Sequence, residues 1–232
     1  MLKKSLKKYL IDYSRASKNY YSDTWKETSN QNLNFFIKKD VSNILINNNI
    51  RGLAPIDNFP SGDFLNKKNI LELNKLQKKE YFKIYKKNRY LNYNFGSAYL
   101  IAYRYFTKIK KHIKKKSKVL IIGDGLGILS SMIYKTFKCK IYLCDLPETL
   151  IYQQYFISKN LNNINYQYIA NSKDKLDFSK DFFFINAKEL NRLKIDLDLA
   201  INTDSFCEMD KVSVDNYFKY ISDNLRKNGK FF

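Results

Sequence analysis

Among 232 residues the sequence has one histidine, one tryptophan, three prolines, three cysteines and seven glycines. The cysteines, Cys139, Cys144 and Cys207, are odd in number and show no paired ligand spacing, which excludes a disulfide framework and a zinc-binding cysteine cluster. They stand in apolar, strand-like stretches and read as reduced core residues, so no metal site is expected. The lone histidine, His112, lies among six lysines between Lys108 and Lys116. Those neighbours disfavour its protonated form, and it reads as a solvated residue rather than a catalytic one. No apolar run approaches the ~20 residues of a membrane span, and the lysine-rich start lacks the apolar stretch of a signal peptide. A soluble, cytoplasmic protein is expected.

Lysine, asparagine and aromatic residues are abundant instead, with 19 Tyr and 17 Phe, a bias that an A/T-rich coding sequence would also give. The formal charge of +20 is uneven: residues 1–118 carry 27 Lys/Arg against 8 Asp/Glu, a net +19, and residues 119–232 carry 15 against 14, a net +1. A positive field on one half favours encounter with phosphates, acidic glycans, nucleic acid or anionic lipid, and solubilising lysines would produce the same count.

The length suits one catalytic core with an appendage, and the pattern divides near residue 116. In 1–116, a basic and mainly helical cap is expected. Apolar residues recur at helical spacing from Lys3 to Trp25 and from Lys38 to Asn47, residues 66–90 read as a long basic helix, and Phe95 to Ile113 as a more apolar one. Arg51 to Asp63, holding two prolines and two glycines, reads as a structured loop that reaches over the active site. In 117–232 the pattern becomes strand, glycine-rich turn, helix. Strands are expected at VLIIG, Lys140–Cys144, Asn165–Ala170, Phe182–Asn186 and Asp196–Asn202, and helices at Pro147–Leu161 and Val212–Lys227. That alternation specifies an α/β class with a parallel, Rossmann-like sheet. A further strand would begin only at Lys230, so the native chain is expected to run past Phe232.

Three of the seven glycines fall in Gly123-Asp124-Gly125-Leu126-Gly127, directly between strand and helix. Glycine there lets the backbone turn tightly and approach a ligand, and the helix start offers free N–H groups. The dinucleotide fingerprint G-x-G-x-x-G requires glycine where Ile128 stands, whereas the G-x-G-x-G spacing suits S-adenosylmethionine. Eighteen residues past Gly127, the second strand ends in Asp145, placed to accept hydrogen bonds from both ribose hydroxyls. With Pro147 and Glu148 following, Asp145 could alternatively be a helix N-cap. Leu146, Asn186 and Ala187 are candidates for the adenine wall and edge, and Asn202 for a cofactor contact or an ordering role in its loop.

The segment 119–232 resembles the sugar O-methyltransferases found among bacterial surface-polysaccharide genes, through VLIIGDGLG, CDLPETL and INTDSFCEM. The resemblance implies a class I methyltransferase sheet, S-adenosylmethionine as methyl donor, and a sugar hydroxyl in a glycan or its nucleotide-activated precursor as acceptor. One departure is notable. Many methyltransferases carry an acidic residue two before the first motif glycine, where this chain has Ile121; Asp124 is the candidate to replace its contact with the methionine amino group.

A hydroxyl acceptor benefits from a base, and Asp204 and Glu208, just past the strand ending in Asn202, are the candidates. Each has a plainer reading: Asp204 as a turn residue, Glu208 as a helix-start charge beside Asp210 as cap. Tyr99, Tyr103 and Arg104 could line the acceptor pocket, although aromatics at such spacing more often pack in a core. A nucleic-acid methyltransferase is the first rival, favoured by the basic half. Against it, enzymes acting on exocyclic base amines tend to carry an Asn/Asp-Pro-Pro-aromatic motif after this strand, and no proline follows Pro147. A non-catalytic binding protein that keeps the fold is the second.

Overall fold

The computed structural model describes residues 67–76 and 97–232. The helices expected between Lys3 and Asn47, the Arg51–Asp63 loop and residues 77–90 lie outside the described residues. Two helices, α1 (Lys67–Leu76) and α2 (Ser97–Ile109), precede the sheet, and α2 runs on into a 3-10 turn, Lys110–His112. There follow β1 (Lys118–Ile122), α3 (Ile128–Phe137), β2 (Lys140–Asp145), α4 (Pro147–Asn160), β3 (Tyr166–Ile169) and β4 (Phe182–Asn186). The chain then forms β5 (Leu197–Asn202), α5 (Lys211–Asn224) and β6 (Leu225–Phe231).

The six strands make one sheet in the order β3-β4-β2-β1-β5-β6, every pair parallel. The central strands are apolar on both faces because both faces are covered. Val119 and Ile121, Ile141 and Leu143, and Phe182 and Phe184 point to a core shared with α2, α3 and α4. Leu120 and Ile122, Tyr142 and Cys144, and Phe183 and Ile185 point to the opposite core, with Leu190 and with Tyr220 and Ile221 of α5. Each of these strand residues is essentially inaccessible to water. Burying side chains of this size contributes about 1.5–3 kcal/mol each relative to exposure, so the alternation fixes the register firmly. The Rossmann-like α/β expectation is met.

The carboxyl-terminal end differs from the sequence reading. The last helix stops at Asn224, and Leu225–Phe231 forms an outer strand where helix was expected to Lys227. Leu197 pairs with Leu225 but Leu199 with Lys230, so Arg226-Lys227-Asn228-Gly229 bulges out of the ladder. No apolar alternation could announce such a strand. Cys139 and Cys144 are buried as expected, but Cys207 is exposed on a 3-10 turn, Ser205–Glu208, whose Phe206 is the residue turned onto the core. His112 is half-buried beside the Phe232 ring, at 5.1 Å between centroids, with its pKa lowered by desolvation and by Lys230 and Lys111. Among the described residues no helix is long and apolar enough to cross a membrane.

Candidate functional site

Strand order reverses at β1: the chain runs outward from it through β2 on one side and β5 on the other, the position at which open α/β sheets bind ligands. Register brings Ile122 level with Cys144 and Asn202, and Asp145 level with Asn186. Gly123, Asp145, Asn186 and Asn202 therefore gather at the carboxyl edge of four adjacent strands.

The turn after β1 places three glycines, Gly123, Gly125 and Gly127, at positive φ. Gly123 has φ +75°, and a Cβ there would run into the Ser205 side chain. Gly125 has φ +55°, and a Cβ would meet no atom within 4 Å, so the loop is open on that side. Asp124 lies inward. Its carboxylate accepts from the backbone N–H of Leu129 at 3.3 Å and of Ser130 at 3.0 Å, taking up two free donors in the first turn of α3. Burial pushes its pKa up to about 7, and the bonds from Ser130 and Leu129 pull the other way. Expected as a cofactor contact in place of an acid at 121, Asp124 instead supports the loop from below. Ile121 is wholly buried in the core facing α2 and α3.

At the end of β2, Asp145 accepts from the N–H of Leu146 and from Nε2 of Gln153, each at 2.8 Å. Burial pushes its pKa up to about 7, with the charges of Glu148 and Asp124 adding to the rise and the bonds from Leu146 and Gln153 opposing it. It is not the helix cap: α4 begins at Pro147 with Leu146 in the N-cap position and no side-chain cap bond. Asn186 is spent on structure. Fully buried, it accepts from Lys188 N at 3.1 Å and donates to the Ala170 carbonyl at 3.3 Å. Leu146 and Ala187 are half-buried beside it.

The loop after β5 is sewn to the loop after β1. Asn202 donates to the Ile122 carbonyl at 3.2 Å and to Ser205 Oγ at 2.5 Å, and accepts from Phe206 N at 3.2 Å. That assigns its amide to ordering the loop. Asp204, at φ +65°, is exposed, and its carboxylate accepts from the Tyr105 hydroxyl at 2.5 Å. Burial, with the Asp204 bond and charge adding, pushes the Tyr105 pKa up to about 12, so it remains a donor at neutral pH. Glu208 is half-buried at the end of its turn, and Asp210 caps α5 by accepting from Ser213 N at 2.8 Å.

The residues proposed to line an acceptor pocket fare differently. Tyr99 and Tyr103 are buried in the core, and Tyr103 donates to Glu72 at 2.6 Å; Arg104 is exposed. Helical geometry sends Tyr105, one residue further on, across to Asp204. Among the described residues no group of three His, Cys, Asp or Glu side chains is placed to hold a metal ion.

No family model matches the chain, and no curated protein does. Solved structures do. One is a crystal structure of a Plasmodium falciparum protein titled as a protein-L-isoaspartate O-methyltransferase (beta-aspartate methyltransferase), in complex with S-adenosyl-L-homocysteine. It is 17% identical, the match covers 84% of this chain and 83% of that chain, and the TM-score is 0.39. A likeness of that extent adds nothing to what the residues of the site establish themselves.

Four contributors escaped the sequence reading. Thr203 and Ser205 stood inside a motif already singled out, and their hydroxyls donate to the carbonyls of Gly123 at 2.5 Å and Ile122 at 3.3 Å. Tyr105 and Gln153 had no local signal, since each acts on a carboxylate distant in sequence or a helix turn away.

Proposed function

We propose that this chain is an S-adenosylmethionine-dependent methyltransferase acting on a hydroxyl group, with a sugar hydroxyl of a glycan or nucleotide-activated precursor as the acceptor. One observation carries the reading: a glycine loop open at Gly125 stands at the switch point of the sheet, beside the Asp145 carboxylate ending the neighbouring strand. A glycine loop lets a ligand approach the backbone closely, and a strand-end carboxylate suits a ribose diol. Leu146 and Ala187 are then the adenine wall.

The bound donor supplies an electrophilic methyl group. The chain's residues must hold an acceptor oxygen in line with it, exclude water and take the hydroxyl proton. Asp204 is the proposed base, because it is exposed just past the β5 end and held by Tyr105, with Glu208 next along the same turn. Gly125 and Asp145 would hold the donor, and Asp204 would take the hydroxyl proton as the acceptor oxygen gains the methyl group. The absence of proline after Pro147 and the INTDSF sequence support oxygen over a base amine, and the resemblance of the three motifs supports a sugar. Residues 1–116 are proposed as a cap contributing to the acceptor side, a reading supported by the Tyr105 contact.

Calorimetric titration with S-adenosylhomocysteine tests the cofactor claim without the acceptor. Micromolar binding by the wild type, lost in Asp145→Ala, is the expected result; nucleotide sugars are then screened by S-adenosylhomocysteine release. A folded wild type that gives no heat sinks the reading.

A further inference from the structure

Gln153 lies on α4, wholly buried, and meets two parts of the site at once. Its Nε2 donates to Asp145 Oδ2 at 2.8 Å, and its Cα lies 3.3 Å from where a Cβ on Gly127 would stand. Its Oε1 has no hydrogen-bond partner among the described residues. Leaving a buried acceptor unpaired costs roughly 1–3 kcal/mol, so a residue needed only to fill this space would be Leu or Met. The amide is tolerated here for the bond its other end makes. Among the described residues Asp145 otherwise accepts from the backbone N–H beside it, and Gln153 is the side chain that fixes its second oxygen.

From these contacts we infer that Gln153 is a positioning residue of the nucleotide site, holding the Asp145 carboxylate in the orientation that accepts a ribose diol and so making the site select ribose over deoxyribose. The inference rests on the cofactor reading above. The backbone of Gln153, with the Ile157 side chain one turn further along α4, also backs Gly127, so the helix that carries the amide packs directly against the loop.

The test titrates S-adenosylhomocysteine and its 2′-deoxyadenosyl analogue into wild type, Gln153→Met, Asp145→Ala and the double variant. A site built to bond a hydroxyl rejects the analogue lacking it, and wild type is expected to prefer the ribose form by at least about 10-fold. Gln153→Met should weaken the ribose ligand by about 10–100-fold, the loss typical of removing an outer-shell partner, and leave the deoxy analogue within about 3-fold. Added to Asp145→Ala it should cost nothing more, since both changes disable one unit. A merely structural glutamine would weaken both ligands alike and add to Asp145→Ala. Should Gln153→Met fail to fold, Gln153→Glu keeps the shape: relative to wild type at the same pH it should bind poorly at pH 8 and recover at pH 6, where a protonated carboxyl again donates to Asp145. A Gln153→Glu whose affinity relative to wild type does not change with pH, or a Gln153→Met that keeps affinity and preference, overturns the inference alone. A wild type that does not bind overturns it together with the cofactor reading.

Discussion

The Thr203 hydroxyl donates to the Gly123 carbonyl at 2.5 Å, joining the turn after β5 to the turn after β1 across 80 residues of chain. With Asn202 and Ser205 both donating to the Ile122 carbonyl, the two loops at the switch point are held to each other before any ligand arrives. Such preorganisation keeps the orienting cost out of the binding step.

Two glycine substitutions should therefore separate folding from binding. Gly123→Ala forces a Cβ into Ser205 at φ +75° and breaks the junction, so a drop of several degrees in thermal midpoint is expected. Gly125→Ala meets no neighbour and carries only the left-handed backbone cost, about 1–2 kcal/mol. It should fold, yet lose most S-adenosylhomocysteine affinity by filling the open side of the loop. Equal affinity in Gly125→Ala and wild type would place the ligand elsewhere.

Affinity should also depend on pH. Asp145 has its pKa pushed up to about 7 by burial, so below that value it is protonated and offers one fewer charged acceptor. Binding of S-adenosylhomocysteine is expected to strengthen from pH 6 to pH 8, by up to ~10-fold per unit below the transition, and then level off. Asp145→Asn should bind weakly with a flat profile. A flat wild-type profile would show that the carboxylate's charge does not serve the ligand.

Stability should run the other way. A carboxyl whose native pKa is raised binds more protons folded than unfolded between the two values, so stability falls as pH rises through that window. For Asp124 the window extends from 3.8 to about 7. Urea unfolding midpoints are expected to decline from pH 5 to pH 7.5 in the wild type, and less steeply in Asp124→Asn, which keeps an acceptor oxygen for α3 without the charge.

The central sheet and one side of the site were legible because they are local. Four apolar residues followed by three glycines specify β1 and its turn, and the end of the next strand places Asp145. Side-chain use was less legible. Asp124, Asn186 and Asn202 stood at the right edge of the sheet, but whether each faces a ligand or its own backbone depends on which N–H groups the neighbouring elements leave free. β6 was missed because a lysine-rich strand with a four-residue bulge has no period, its place being set by pairing with β5. Tyr105 was missed since its partner lies 99 residues away.

That long-range pair supports the last prediction. The Tyr105 hydroxyl, kept protonated by burial and by the Asp204 charge, gives Asp204 a side-chain donor and aims it from the β5 turn. Because neither residue bonds the glycine loop or Asp145, changing either should leave S-adenosylhomocysteine affinity within about 2-fold while acting on transfer. With an acceptor found by screening, Asp204→Asn should lower the transfer rate by about 10²–10⁴, the range for removing a positioned general base. Tyr105→Phe should lower it less, while costing about 0.5–1.5 kcal/mol in unfolding free energy for the lost bond. Glu208→Gln is the control on the same turn. If it, and not Asp204→Asn, abolishes transfer, the base is Glu208 and the Tyr105 contact serves only to dock α2 on the β5 turn.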